Sequence, residues 1–240
     1  MPEPTLALAV AALAVFIGAV VQGSVGFGVG LLAAPFLMWA VPDAMPGALI
    51  MLGGTMTLTT LATHGRWIDV RGLAWAMLGR LPGALAGAWL VVAVAGRTLG
   101  FFVGVAVVAM AGLQVTRWAV PLAPASLIGA GFVSGTTATM SGIGGPPLAM
   151  VYARQEGRVV RATLSAYFLL GSLISLATLA VVGQLHLTSL VTAATLLPAL
   201  LLGAWASGRL VRWLDDGRTR AAILALAAAS GLVLAITSLS

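Results

Sequence analysis

Two short stretches of this chain place glycine, hydroxyl and amide residues inside otherwise apolar sequence: Gln22-Gly23-Ser24-Val25-Gly26-Phe27-Gly28-Val29-Gly30 and Met140-Ser141-Gly142-Ile143-Gly144-Gly145-Pro146-Pro147. Each is flanked by apolar residues on both sides, so neither is the loop of a soluble hairpin. Glycine lets backbone approach a ligand closely, and Pro146 or Pro147 suits the first turn of a following helix. A helix that restarts after such a break opens with unpaired N–H groups at the positive end of its dipole, which is chemistry for holding an anion. The expected binding residues are Gln22, Ser24, Gly26, Phe27 and Gly28 on one break and Thr139, Ser141, Gly142, Ile143, Gly144 and Gly145 on the other. Thr136 and Thr137 are further hydroxyl donors near the second break. The competing reading is small-residue helix packing of the Gly-x-x-x-Gly kind, which does not require two adjacent prolines after a glycine pair.

Arg80 completes the set as the one charge well inside an apolar segment, where an ionisable residue is a functional candidate by default. No Asp or Glu occupies a segment interior, so its counter-charge must be a substrate anion or backbone carbonyls. The alternative is that its side chain folds back to the nearer membrane surface. Other chemistries are poorly supplied. With no Cys and only His64 and His186, which fall at a segment end and in a short loop, no catalytic constellation, metal site or cofactor is expected. The first break superficially matches a dinucleotide or phosphate-loop fingerprint, but a membrane-length apolar run precedes it and the chain has no Lys. Gly83 with Gly87, and Gly100 with Gly104, have ordinary helix-packing spacing.

These residues must be positioned by helices in lipid. Of 240 residues, 60% are hydrophobic and 8% charged, against roughly 25% charged in a soluble domain. A net charge of +6 would suggest nucleic acid in a soluble protein, but in a membrane protein Arg marks cytoplasmic loops. Nucleic acid is therefore not an expected partner. The opening Met-Pro-Glu-Pro-Thr lacks a basic n-region, so the first apolar run reads as a retained span. Apolar runs bounded by charge, Pro or Gly fall at 5–22, 27–41, 45–63, 72–94, 98–116, 124–138, 143–153, 162–183, 187–208 and 220–238. The second and seventh are short for a span.

An offset of 116 residues relates the two breaks: it carries Gly26 to Gly142, Gly28 to Gly144, Leu32 to Leu148 and Ala33 to Ala149. The same offset carries Leu81-Pro82 to Leu197-Pro198 and Gly87-Ala88-Trp89 to Gly203-Ala204-Trp205. The chain divides into a first repeat over 1–116, a linker over 117–123 and a second repeat over 124–240, with five segments in each repeat. If the segments alternate sides, Arg66, Arg71, Arg117, Arg154, Arg158, Arg161, Arg209, Arg212, Arg218 and Arg220 share one face and Arg97 alone takes the other. That face is cytoplasmic and both termini lie outside. Five segments per half also turn the second half upside down, bringing the breaks together near the midplane. Irregular backbone there must line protein or a water-filled cavity. The expectation is an all-α integral membrane protein of two inverted five-segment repeats, each opening with a Gly-broken helical hairpin. Re-entrant and fully crossing hairpins give the same charge pattern. The lack of buried carboxylates disfavours a bound coupling cation, although a proton can travel with a weak-acid substrate.

Val25-Gly26-Phe27-Gly28-Val29-Gly30-Leu31-Leu32-Ala33-Ala34-Pro35, and Gly131-Phe132-Val133-Ser134-Gly135 running into Ser141-Gly142-Ile143-Gly144-Gly145-Pro146-Pro147, resemble the paired signatures of the sulfite exporter TauE/SafE family. The resemblance covers nearly the whole chain. It implies a multi-pass permease of bacterial inner membranes that moves small sulfur-containing anions such as sulfite, sulfoacetate or other organosulfonates, often outward. It also implies about eight spans in two repeats, which broken hairpins reconcile with ten segments. Pro146-Pro147 departs from the Gly or aliphatic residue expected there, a difference that bears on the substrate. The expected function is a secondary transporter, an exporter, that binds its anion near the midplane at the two Gly-rich breaks, with lipid around it and homo-oligomerisation left open. An anion channel, a permease for another carboxylate or oxyanion, an intramembrane enzyme and a structural subunit are the alternatives.

Overall fold

In a computed structural model, the described residues are 4–25, 28–94, 97–115, 120–214 and 217–239, without the side chains of 4–5, 24–25, 59–60, 62–65, 97, 115, 208–214 and 217–222. They form ten α-helices: α1 (Pro4–Val25), α2 (Val29–Ala40), α3 (Gly47–His64), α4 (Val70–Ala93), α5 (Arg97–Val115), α6 (Pro124–Ser141), α7 (Gly145–Val151), α8 (Gly157–Val181), α9 (Leu187–Leu214) and α10 (Gly217–Thr237). Single 3₁₀ turns precede α3 and α4, and no strand occurs among the described residues. Every expected apolar segment corresponds to a helix. The segments Leu6–Gly23, Val70–Ala93, Gly157–Val181 and Leu187–Ser207 are long and apolar enough to cross a membrane, whereas Val29–Ala40, Gly47–Leu58, Thr98–Gln114 and Ile223–Thr237 are apolar but shorter.

Local chemistry sets the helix ends that frame the breaks. Gly142 closes α6 in the left-handed conformation at φ 75°, and its N–H reaches Ala138 O at 2.8 Å; a Cβ is disfavoured there. Gly28 precedes α2 at φ 152°, a conformation equally suited to glycine. Helix α7 has only seven residues and starts with two prolines in its first turn. Asp69 caps α4, its Oδ1 accepting from Gly72 N at 2.9 Å, as a short acidic side chain does at a helix start.

The helices pack in pairs, α4 on α6, α1 on α9, α5 on α10 and α3 on α8. Small residues make the closest seam. A Cβ on Gly79 would collide with Ile128 O, one on Gly83 with Phe132 O, and one on Gly131 with Ala76 O, so α4 and α6 meet backbone to backbone. Gly87 continues the seam against Thr136 and Thr139, and Gly104 meets Gly231 and Ala235 between α5 and α10, in keeping with the packing role their spacing predicts. Apolar side chains face both inward and outward. Val15, Leu37, Leu49 and Leu200 are buried in the larger core, while Leu13, Leu85, Trp89, Val181 and Trp205 lie on the perimeter. An apolar perimeter of this kind suits lipid.

Candidate functional site

The two glycine breaks touch. Gly30, in the first turn of α2, lies so close to the second break that a Cβ on it would strike Gly142 O. Around this contact is a cavity of about 60 Å³ whose wall includes Gln22, Gly28, Gly30, Arg80, Gly142 to Pro146, Phe168 and Ser172. That is roughly four times the space that holds one water. Leu49, Ile50 and Gly53 of α3 supply another side.

The donors at the cavity come unequally from the two breaks. Gln22 is buried, and its Oε1 accepts the Val29 N–H at 3.0 Å, capping α2 from the end of α1. Helix geometry leaves the N–H groups of Gly30 and Leu31 without an intrahelical acceptor, and both residues line the cavity. The 116-residue offset carries Gly30 to Pro146 and Leu31 to Pro147. Proline has no N–H, so the opening turn of α7 lacks the two donors that α2 retains. The second break is instead pinned by Ser134, whose Oγ donates to Gly144 O at 2.5 Å.

Arg80 is the charge in this wall. It is 2% exposed, so it does not fold back to the surface. Its Nη2 donates to Gly171 O at 2.9 Å and to Ser175 Oγ at 2.8 Å. Ser175 Oγ lies 2.7 Å from Thr139 Oγ1, and the guanidinium carbon sits 5.3 Å from the centre of the Tyr167 ring, a cation–π contact. A side chain at Gly171 would occupy the guanidinium's own position. Nε and Nη1 are buried without a partner. The one salt bridge among the described residues, Arg158 with Glu156, is exposed and on the surface. A buried cation with free donors and no acid facing it is costly unless an anion joins it.

A sequence profile of the sulfite exporter TauE/SafE family matches residues 10–234. The chain belongs to this family. It is therefore a multi-pass membrane protein of a transporter family named for sulfite export. No curated protein and no solved structure matches the chain. The TauE/SafE match runs through both breaks, Arg80 and the helices that hold them.

Among the residues expected at the site of this TauE/SafE chain, Gln22, Gly28, Arg80, Gly142, Ile143, Gly144 and Gly145 are brought to one cavity. Gly26 and Phe27 lie outside the described residues, as does the side chain of Ser24. Thr139 and Ser141 are buried but are not on the cavity wall: Thr139 stands behind Arg80 through Ser175, and Ser141 Oγ donates to Thr137 O at 2.7 Å. Thr136 and Thr137 likewise donate to carbonyls one turn back, Phe132 O and Val133 O. Sequence reasoning missed Gly171, Ser175 and Tyr167, which seat the guanidinium, and Ser134, which seats the second break. Gly171, Ser175 and Tyr167 lie on α8, far from Arg80 in sequence, and only the packing of α8 on α4 reveals them, whereas Ser134 stands ten residues before Gly144 in the Gly131–Gly135 motif and its contact follows from how α6 turns into the break.

A second polar cluster fixes the starting end of α4. Asp69 Oδ2 accepts from the Tyr152 hydroxyl at 2.9 Å, and Asp69 N donates to Thr163 Oγ1 at 2.9 Å. This joins α4 to the end of α7 and the start of α8. Burial, then the hydrogen bond and negative charge of Asp69, push the Tyr152 phenol above its ordinary pKa and keep it a donor. At the same end Arg158 stacks 3.9 Å from the Trp67 ring centre.

Proposed function

We propose that the protein is a secondary transporter that exports a small sulfur-containing anion through the cavity between the two breaks. The observation that carries this reading is Arg80, buried at the cavity wall with Nε and Nη1 unpartnered. The anion would take these donors together with the first-turn N–H groups of α2, whose dipole favours negative charge. Thr139 and Ser175 would position the guanidinium and leave the anion contact to Arg80.

The inverted-repeat reading, with halves at 1–116 and 124–240, is supported by the packing pairs. Exchanging the halves turns α4 on α6 into α9 on α1, α1 on α2 into α6 on α7, and α3 on α9 into α8 on α4, all of which occur. The pairs α3 with α8 and α5 with α10 map onto themselves. The matched residues Trp89 and Trp205 both face outward, at 67% and 65% exposure. Topology with both termini outside is supported by loop grouping. Asp69, Tyr152 and Thr163 meet at the end that carries Arg66 and Arg158. Thr188 donates to Asp43 O at 3.1 Å, and His186, Asp43 and Ser238 line a second cavity away from those Arg residues. Alternating access would rock one helix group against another around the breaks.

Flux of sulfite into and out of proteoliposomes tests the reading. Arg80→Gln should lower transport by about tenfold to a hundredfold, the worth of a charge-assisted hydrogen bond. Unaltered flux in a well-folded Arg80→Gln or Gly144→Leu variant would sink the site, and non-saturating flux at channel rates would replace the carrier with an anion channel.

A further inference from the structure

Among the described residues, the cavity has a single formal charge to offer. Arg80 supplies it, and Gln22, Gly28, Gly30, Leu31, Leu49, Ile50, Gly53, the 142–146 segment, Phe168 and Ser172 add no ionisable group. The surrounding helices change nothing. Helices α1, α2, α6 and α7 contain no Asp, Glu, His, Tyr, Lys or Arg. Helix α8 faces Arg80 with Tyr167, whose hydroxyl donates to Gly131 O at 3.2 Å, and has Arg158 and Arg161 only near its start. Helix α4 adds Arg71 in its first turn, and His64 is the last residue of α3.

We infer that the site takes its anion only in the singly charged form, a sulfonate or the protonated form of a diprotic oxyacid, and rejects dianions. This inference rests on the cavity being the transport site, as proposed above. A monoanion against Arg80 makes a neutral pair away from water, whereas a dianion leaves one negative charge buried with nothing to compensate it. Among the described residues, no second cation and no protonatable carboxylate is on the wall to absorb that excess. The first-turn N–H groups of α2 contribute partial charge only. For a weak acid such as sulfite, the selected species already contains the proton. The proton then moves as part of the substrate, with no acidic side chain required.

Competition binding to the purified full-length protein, with sulfite, methanesulfonate and sulfate as probes across a pH series, tests the inference. Methanesulfonate is a permanent monoanion, so its affinity should stay constant. Apparent affinity for total sulfite should fall by about tenfold per pH unit once the second proton is lost, and sulfate should not compete. Sulfite affinity that stays level or rises with pH, or sulfate competing as well as methanesulfonate, overturns the charge rule while leaving the site in place if Arg80→Gln still weakens binding by about tenfold or more. Failure of every probe to bind, or binding unaltered in folded Arg80→Gln and Arg80→Met proteins, overturns the site and the charge rule with it.

Discussion

Gln22 presents a neutral amide where an acidic side chain would cap a helix equally well. Its Oε1 already accepts from Val29 N, and a carboxylate at that position would be welcomed by the α2 dipole. It would also place a fixed negative charge on the wall shared with Arg80. Gln22→Glu should therefore keep or raise thermal stability while suppressing anion flux, and flux and melting temperature measured on the same preparation check both parts. Behind Arg80, Ser175→Ala removes one of two acceptors of Nη2 and should weaken transport roughly fivefold. In an Arg80→Gln background the same change should add almost nothing, because the two residues act as a unit. Arg80 was legible in sequence as a lone charge in an apolar run. Ser175 was not, since it is one hydroxyl among several on α8 and meets Arg80 across 95 residues of chain. Thr139 lies near the second break in sequence but its hydroxyl turns toward α8, and which way a helical residue turns depends on its neighbours.

At the scale of elements, the α4–α6 seam sets how rigidly Arg80 and the second break are held. Gly83→Val inserts a side chain against Phe132 O and should destabilise the protein by about 1–3 kcal/mol, read as a lower melting temperature in detergent. The Asp69–Tyr152 bond is a second fastening, between α4 and the end of α7. Tyr152→Phe should cost about 1 kcal/mol. Because the folded phenol pKa is raised, its contribution is fully present below the unfolded value of about 10 and is lost as pH rises above it. The Phe variant should accordingly show a shallower loss of stability on the alkaline side. All ten helices were visible as apolar runs, since such runs end where Gly, Pro or charge intervenes. The seventh run reads as short, and α7 is shorter still. Its run continues to 153, but Gly142 in a left-handed turn, the non-helical Gly144 and the turn at Tyr152 confine the helix to Gly145–Val151.

For the whole molecule, the absence of Cys from the chain makes sidedness directly measurable. His186 and Gln155 are exposed at loops assigned to opposite faces. In oriented vesicles, His186→Cys should react with an impermeant maleimide from outside and Gln155→Cys only from inside; the reverse pattern would invert the topology. The proposed repeat rests on Gly, Pro and Trp residues that match at one offset along the chain. The departures from that match matter as much. Two identical halves in opposite orientation would give inward-open and outward-open forms of equal free energy, because a two-fold axis in the membrane plane would interchange them. Arg80 opposite a buried Leu196, and Gly30-Leu31 opposite Pro146-Pro147, remove that degeneracy. On the proposed inverted-repeat reading the carrier is a rectifier by construction, expected to bind its anion with unequal affinity from the two sides of the membrane.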